Sequence, residues 1–129
     1  MSTAQKAKKE TVIKSLIKNL KKQGYQEFKA KSSEYQSPLD LNYNGSMKKF
    51  TPDVVGSMEE GQYDLYEVEQ KINEREIQDQ IAKWILFSSY SKQNGGHFYL
   101  VIPKKIQDRV ENLISRMMIN AKVLYIESL

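Results

Sequence analysis

Three acids, Asp53, Glu67 and Glu69, interrupt a stretch that otherwise alternates like two short β-strands, "FTPDVVGSMEEGQYDLYEVEQK", residues 50–71. A three-residue turn at Glu59-Glu60-Gly61, with glycine in the left-handed conformation such loops need, pairs Met58 with Gln62. Counting outward, Val55 faces Leu65, Asp53 faces Glu67 and Thr51 faces Glu69, all on one side of the sheet because side chains alternate. Opposed residues stand about 4.5–5.5 Å apart at Cβ, where two like charges repel unless a cation neutralises them. A four-residue turn would instead shift the register by one and set Val68 opposite Asp53. An all-oxygen set of this kind suits Mg²⁺ or Mn²⁺, hard cations that retain several waters. Such a site performs phosphate chemistry by activating water and stabilising charge in an in-line displacement. The alternative is that the same acids form surface ion pairs with Lys48, Lys49, Lys71 or Arg75.

The rest of the composition narrows the chemistry further. The chain of 129 residues has no cysteine and a single histidine, which excludes thiol nucleophiles, disulfide frameworks and zinc-thiolate sites, and disfavours a histidine relay. Carboxylates, hydroxyls and lysines remain. The length corresponds to one domain. The basic N-terminus lacks the apolar run of a secretion signal, and no stretch approaches the ~20 apolar residues that cross a bilayer, so a cytoplasmic, non-membrane protein is expected. Charge is unevenly spread: residues 1–31 hold nine lysines against Glu10 and Glu27, a balance of +7, while residues 50–80 hold nine acids against Lys71 and Arg75, a balance of −7. A basic body around an acidic patch points to a polyanion partner and a bound cation; two solvated surfaces are the plainer reading.

The elements that must position the acids follow from periodicity. Val12, Ile13, Leu16, Ile17 and Leu20 recur at helical spacing, predicting a helix over about 5–23 that stops at Gly24. Its polar face carries Lys6, Lys9, Lys14, Lys18, Lys21 and Lys22, which would either track phosphates or keep the helix solvated. "YQEFKAK" reads as a strand and Asn44-Gly45 as a tight turn. Asn73 with Glu76 has capping-box spacing for a helix over 74–90, whose stripe is Ile77, Ile81, Trp84, Ile85 and Ser88. "HFYLVI" gives a strand at 97–102, Pro103 opens a helix over 104–118 with Ile106, Val110, Leu113, Ile114 and Met117, and a final strand covers 122–127. Hairpin strands are antiparallel and helix-linked strands usually parallel, so the expected fold is a single α/β domain with a mixed sheet.

"TPDVV", a hairpin and "YEVEQK", followed by a helix, resemble the PD-(D/E)xK, or restriction-endonuclease-like, nuclease superfamily, whose core has the same order of elements with helices on both sheet faces. The resemblance implies a Mg²⁺- or Mn²⁺-dependent endonuclease that hydrolyses phosphodiester bonds, with Asp53 and Glu67 as metal ligands. The third motif position, usually lysine, is Glu69, which would serve as a ligand or general base. Lys71, two residues on and on the same strand face, would supply the missing cation. An acid on the first helix is often a further ligand in the family; Glu10 shares a face with Ile13, Ile17 and Leu20. Gln78 or Gln80 matches a glutamine that some members use after the motif strand, or is simply solvent-exposed. Tyr63 and Tyr66 would stack on bases or pack at the strand rim. His97 reads as structural. Expected partners are nucleic acid, DNA above all, bound through Lys14, Lys18, Lys21, Lys22, Lys48 and Lys49, with homodimerisation over a duplex as an option. The competing reading is a catalytically inactive nuclease-fold module that binds nucleic acid or a protein.

Overall fold

A computed structural model of the chain describes residues 3–43 and 45–129. The first helix, α1 (Thr3–Lys22), buries Ile13, Leu16, Ile17 and Leu20, each worth about 1.5–3 kcal/mol relative to exposure, while Val12 is only partly covered. It ends where Gly24 takes φ +106°, and the Leu20 carbonyl accepts from the amides of Gln23 (2.9 Å) and Tyr25 (3.2 Å). The turn leads into β1 (Glu27–Ala30), followed by a long irregular segment whose only ladder contact among the described residues is the bridge between Leu41 and Phe50. Gly45 has φ +81°; its expected turn partner Asn44 lies outside the described residues.

Strands β2 (Val54–Ser57) and β3 (Asp64–Val68) form the expected hairpin with Val55 opposite Leu65. Gly61 at φ +85° and the bond from Gln62 N–H to the Glu59 carbonyl (3.1 Å) close the turn at the expected residues. Pairing stops at Gly56 and Asp64, however, so Met58 and Gln62 belong to a longer loop. A short 3₁₀ turn over Glu74–Glu76 then enters α2 (Ile77–Gln93), and Asn73 caps the turn by accepting from Arg75 N–H at 3.1 Å. Strand β4 (Phe98–Ile102), a 3₁₀ turn, α3 (Gln107–Arg116) and β5 (Lys122–Tyr125) complete the chain.

The sheet order is β1-β2-β3-β4-β5, antiparallel across the first two pairs and parallel across the last two. This α/β arrangement follows from the connections: the helix-free β1–β2 segment and the β2–β3 hairpin loop return the chain antiparallel, while crossovers through α2 and α3 make parallel neighbours. Alternation splits the core. Tyr66, Val68 and Val101 pack with α1 on one face, whereas Leu65, Phe98, Leu100 and Ile102 pack on the other with Ile81, Trp84, Phe87, Val110 and Leu113. Two expected stripe residues fall outside this core. Ile85 is exposed because it lies roughly 100° around α2 from the Ile81–Trp84–Phe87–Ser91 stripe, and Met117 is exposed just beyond the end of α3.

Candidate functional site

The β2–β3 ladder ends at Val54 and Tyr66, and the next residues continue the pairing through side chains. Asp53 N–H donates to Glu67 Oε1 (3.0 Å), and Val68 N–H donates to Asp53 Oδ2 (2.8 Å). The two carboxylates therefore belong to one bonded unit, on the strand ends where β1 also finishes with Lys31 N–H on the Asp53 carbonyl (2.9 Å). Asp53, Glu67 and Glu69 are all buried, Asp53 completely at 0% exposure.

Three lysines from three elements converge on these acids. Lys9 of α1 places Nζ 3.0 Å from Asp53 Oδ2, and Lys31, just past β1, lies 3.4 Å from Asp53 Oδ1. Lys83 of α2 bridges Glu67 Oε2 (2.7 Å) and Glu69 Oε2 (3.1 Å), while Trp84 Nε1 donates to the same Glu69 oxygen at 2.7 Å. Lysines from helices on both faces of the sheet reach one spot because it lies where the β2–β3 ladder ends. Fully ionised, the three carboxylates would match the three ammoniums in number.

Burial shapes their titration. It raises Asp53, and repulsion from Glu67 adds to it, pushing the group up to about 7 against the pull of Lys9 and Lys31. Glu67 goes the opposite way: burial works to raise it, but Lys83, Lys9 and Lys31 together hold it below the usual glutamate range. Adjacent carboxylates that repel one another divide in this manner, one ionised and one inclined to hold a proton. Glu69 is raised by burial and by Glu67, against the opposing pull of Lys83. Burial acts to lower Lys9 and Lys83, yet the carboxylates around them outweigh it and both are raised, so both stay charged.

The donor set fits a hard divalent cation at Asp53. Its Oδ1 is buried and accepts no hydrogen bond among the described residues, and Glu67 offers a second carboxylate on the adjoining strand. Glu67 already meets Asp53 N–H at Oε1 and Lys83 at Oε2, while Lys83 and Trp84 share Glu69 Oε2, so a cation there would compete with Lys83 for either glutamate. Among the described residues no three acidic, imidazole or thiol groups converge in a metal-holding arrangement. Two protein carboxylates with water completing the shell is a coordination that Mg²⁺ accepts.

Other expected site residues lie elsewhere. Glu10 pairs with Lys14 within α1 at 4.0 Å and does not join the acids. At about 100° per residue, Lys9 lies roughly 30° from the centre of the buried stripe and Glu10 roughly 70°, which is why the lysine reaches inward. Lys71 is exposed and its carbonyl accepts from Gln80 Nε2 at 3.2 Å; Lys83, not Lys71, is the lysine that meets Glu67 and Glu69. Gln80 also accepts from Asn73 N–H (3.0 Å) and so shapes the loop before α2, while Gln78 is exposed. Lys48 pairs with Asp79 at 2.5 Å, and Lys49 is exposed. Lys14, Lys18 and Lys21 flank a small surface pocket with Tyr35, Lys22 is exposed, and the Lys6 side chain is outside the described part. Tyr66 is a core residue stacked on Tyr99, with ring centroids 4.6 Å apart, and Tyr63 lies at the surface. His97 is exposed, its amide donating to Asp64 Oδ1 at 2.8 Å.

Sequence reasoning missed Lys9, Lys31, Lys83 and Trp84 as members of this cluster. A signal existed for one of them: Lys9 precedes Ile13, Leu16 and Leu20 by four, seven and eleven positions, the spacing of the buried stripe itself. No helix among the described residues is long and apolar enough to cross a membrane. No protein-family model, curated protein or solved structure matches the chain.

Proposed function

We propose that the chain is a small divalent-cation-dependent nuclease of the PD-(D/E)xK kind, hydrolysing a phosphodiester at the carboxylate end of β2 and β3. The observation that carries this reading is the burial of three carboxylates against three lysines. Desolvating three carboxylates and, in large part, Lys9 and Lys83 costs more than their attraction returns in a typical interior, and apolar residues would fill the space more cheaply. Strongly shifted, charge-paired groups gathered at one point are what catalysis requires.

Asp53 and Glu67 would hold Mg²⁺ or Mn²⁺, which when bound supplies charge neutralisation at the phosphate and a more acidic water. The remaining work falls to the chain. Lys83, kept charged by two glutamates, orients the nucleophilic water and stabilises negative charge on the phosphate. Glu69, raised by its burial and fixed by the indole of Trp84, is placed to take a proton. Exposed lysines of α1, Lys14, Lys18, Lys21 and Lys22, would carry the nucleic-acid backbone, DNA in the first instance.

The purified protein is expected to cleave DNA in Mn²⁺ or Mg²⁺, and Asp53→Asn to abolish cleavage while the fold is kept. Undiminished cleavage by that variant would remove the site. A second reading, a catalytically inactive nuclease-fold module, is favoured by the engagement of Glu69 with Lys83 and Trp84. Salt-sensitive DNA binding that neither needs nor responds to the metal, with no cleavage, would select it.

A further inference from the structure

We infer that Lys31 is a displaceable counterion of Asp53, the ammonium group that a divalent cation must turn out of the site to bind. The inference rests on the nuclease reading above and concerns how its cation enters. The three lysines are held unequally. Lys83 makes two contacts, at 2.7 and 3.1 Å, and its side chain is 18% exposed. Lys9 approaches to 3.0 Å and is similarly enclosed at 20%. Lys31 stands farthest off, at 3.4 Å, with 42% of its side chain in solvent.

The oxygen that Lys31 faces is Asp53 Oδ1, the buried atom that accepts no hydrogen bond among the described residues. Its partner Oδ2 already holds Val68 N–H and Lys9. Thus the unbonded oxygen of Asp53 is opposed only by the loosest, most solvent-facing cation. A divalent ion added among three carboxylates and three ammoniums brings two further positive charges into the cluster, and withdrawal of one ammonium halves that excess. A lysine on a flexible four-carbon stem at the site's mouth can withdraw into water with little rearrangement, whereas Lys83 cannot without stranding two buried glutamates.

Two measurements test this. Mn²⁺ titrated by calorimetry into the wild type and Lys31→Met, in the absence of nucleic acid, should show about fivefold tighter binding to the variant, the equivalent of about 1 kcal/mol for a partly exposed ion pair. A crystal structure in Mn²⁺ should show the ion on Asp53 Oδ1 and Lys31 Nζ outside ion-pair distance, with Lys83 still on Glu67. Mn²⁺ bound with Lys31 still seated on Asp53, or equal affinity in the two proteins, would overturn the displacement while leaving the metal reading intact. No Mn²⁺ binding by either protein would overturn both.

Discussion

Strand β3 carries a polar cluster at each end, and the two are assembled differently. At its start, Asp64 accepts from the Tyr25 hydroxyl and from the His97 amide, Tyr25 and Tyr66 share a hydroxyl contact at 2.8 Å, and Tyr99 stacks on Tyr66. This group contains one half-buried carboxylate and neutral hydroxyls, so its donors and acceptors close without a buried counterion. It ties the α1–β1 turn and the start of β4 to β3, and that structural task accounts for it. At the strand's other end, Glu67 and Glu69 with Asp53 need three lysines to be tolerated. The hydrogen bonds that extend the hairpin there need only the carbonyl-like oxygens of Asp53 and Glu67, which amides would provide equally. The charges exceed what these hydrogen bonds use, and that excess is what the proposed catalytic role would draw on.

Breaking the charged end should have the largest effect. Lys83→Met leaves Glu67 and Glu69 buried without their cation and should lower stability by about 3–5 kcal/mol, read from urea unfolding. Trp84→Phe keeps the packing but removes the indole donor from Glu69, for an expected loss of about 1–3 kcal/mol, and it should slow cleavage by freeing the carboxylate's orientation. At the tyrosine end, Tyr25→Phe should cost only about 0.5–1.5 kcal/mol and leave cleavage unchanged, since Asp64 keeps the His97 amide and access to water.

A finer contrast lies in pH dependence. Asp53 has a folded-state value near 7, above its ordinary 3.8, so over that interval the folded protein binds more protons than the unfolded chain. Stability contributed by this group is present at low pH and declines as pH rises through that window. The wild type should therefore lose stability relative to Asp53→Asn between about pH 4 and 7, measured as the difference in urea midpoint at each pH. A flat difference would show that Asp53 is not raised.

Much of this was legible in the sequence, for identifiable reasons. Gly61, free to take positive φ, marks the turn, and centring the hairpin there gives the observed Val55–Leu65 register and Asp53 beside Glu67, although the loop is longer than three residues. The α1 and α2 stripes and the helix-linked parallel strands followed from periodicity. What was illegible depended on the third dimension. A lysine on a helix reads as solvated until a second element brings an acid to it, and Lys83 lies outside the apolar stripe of α2, so nothing local distinguishes it from Lys92. Lys71 was the nearer candidate in sequence, but β3 ends at Val68, and the alternation that would have carried Lys71 inward ends with it. Glu10 shared a face with Ile13 only approximately, and the helix's angular spacing favoured Lys9.

The claim that the charged end serves chemistry and not the fold is tested most directly by neutralising it whole. A variant carrying Asp53→Asn, Glu67→Gln, Glu69→Gln, Lys9→Met, Lys31→Met and Lys83→Met retains the acceptor oxygens for Asp53 N–H and Val68 N–H while removing every charge of the cluster. Its urea-unfolding free energy should equal or exceed that of the wild type, with Mn²⁺-supported phosphodiester cleavage lost. A loss of several kcal/mol would assign the cluster to stability; cleavage that survives would place catalysis elsewhere in the molecule.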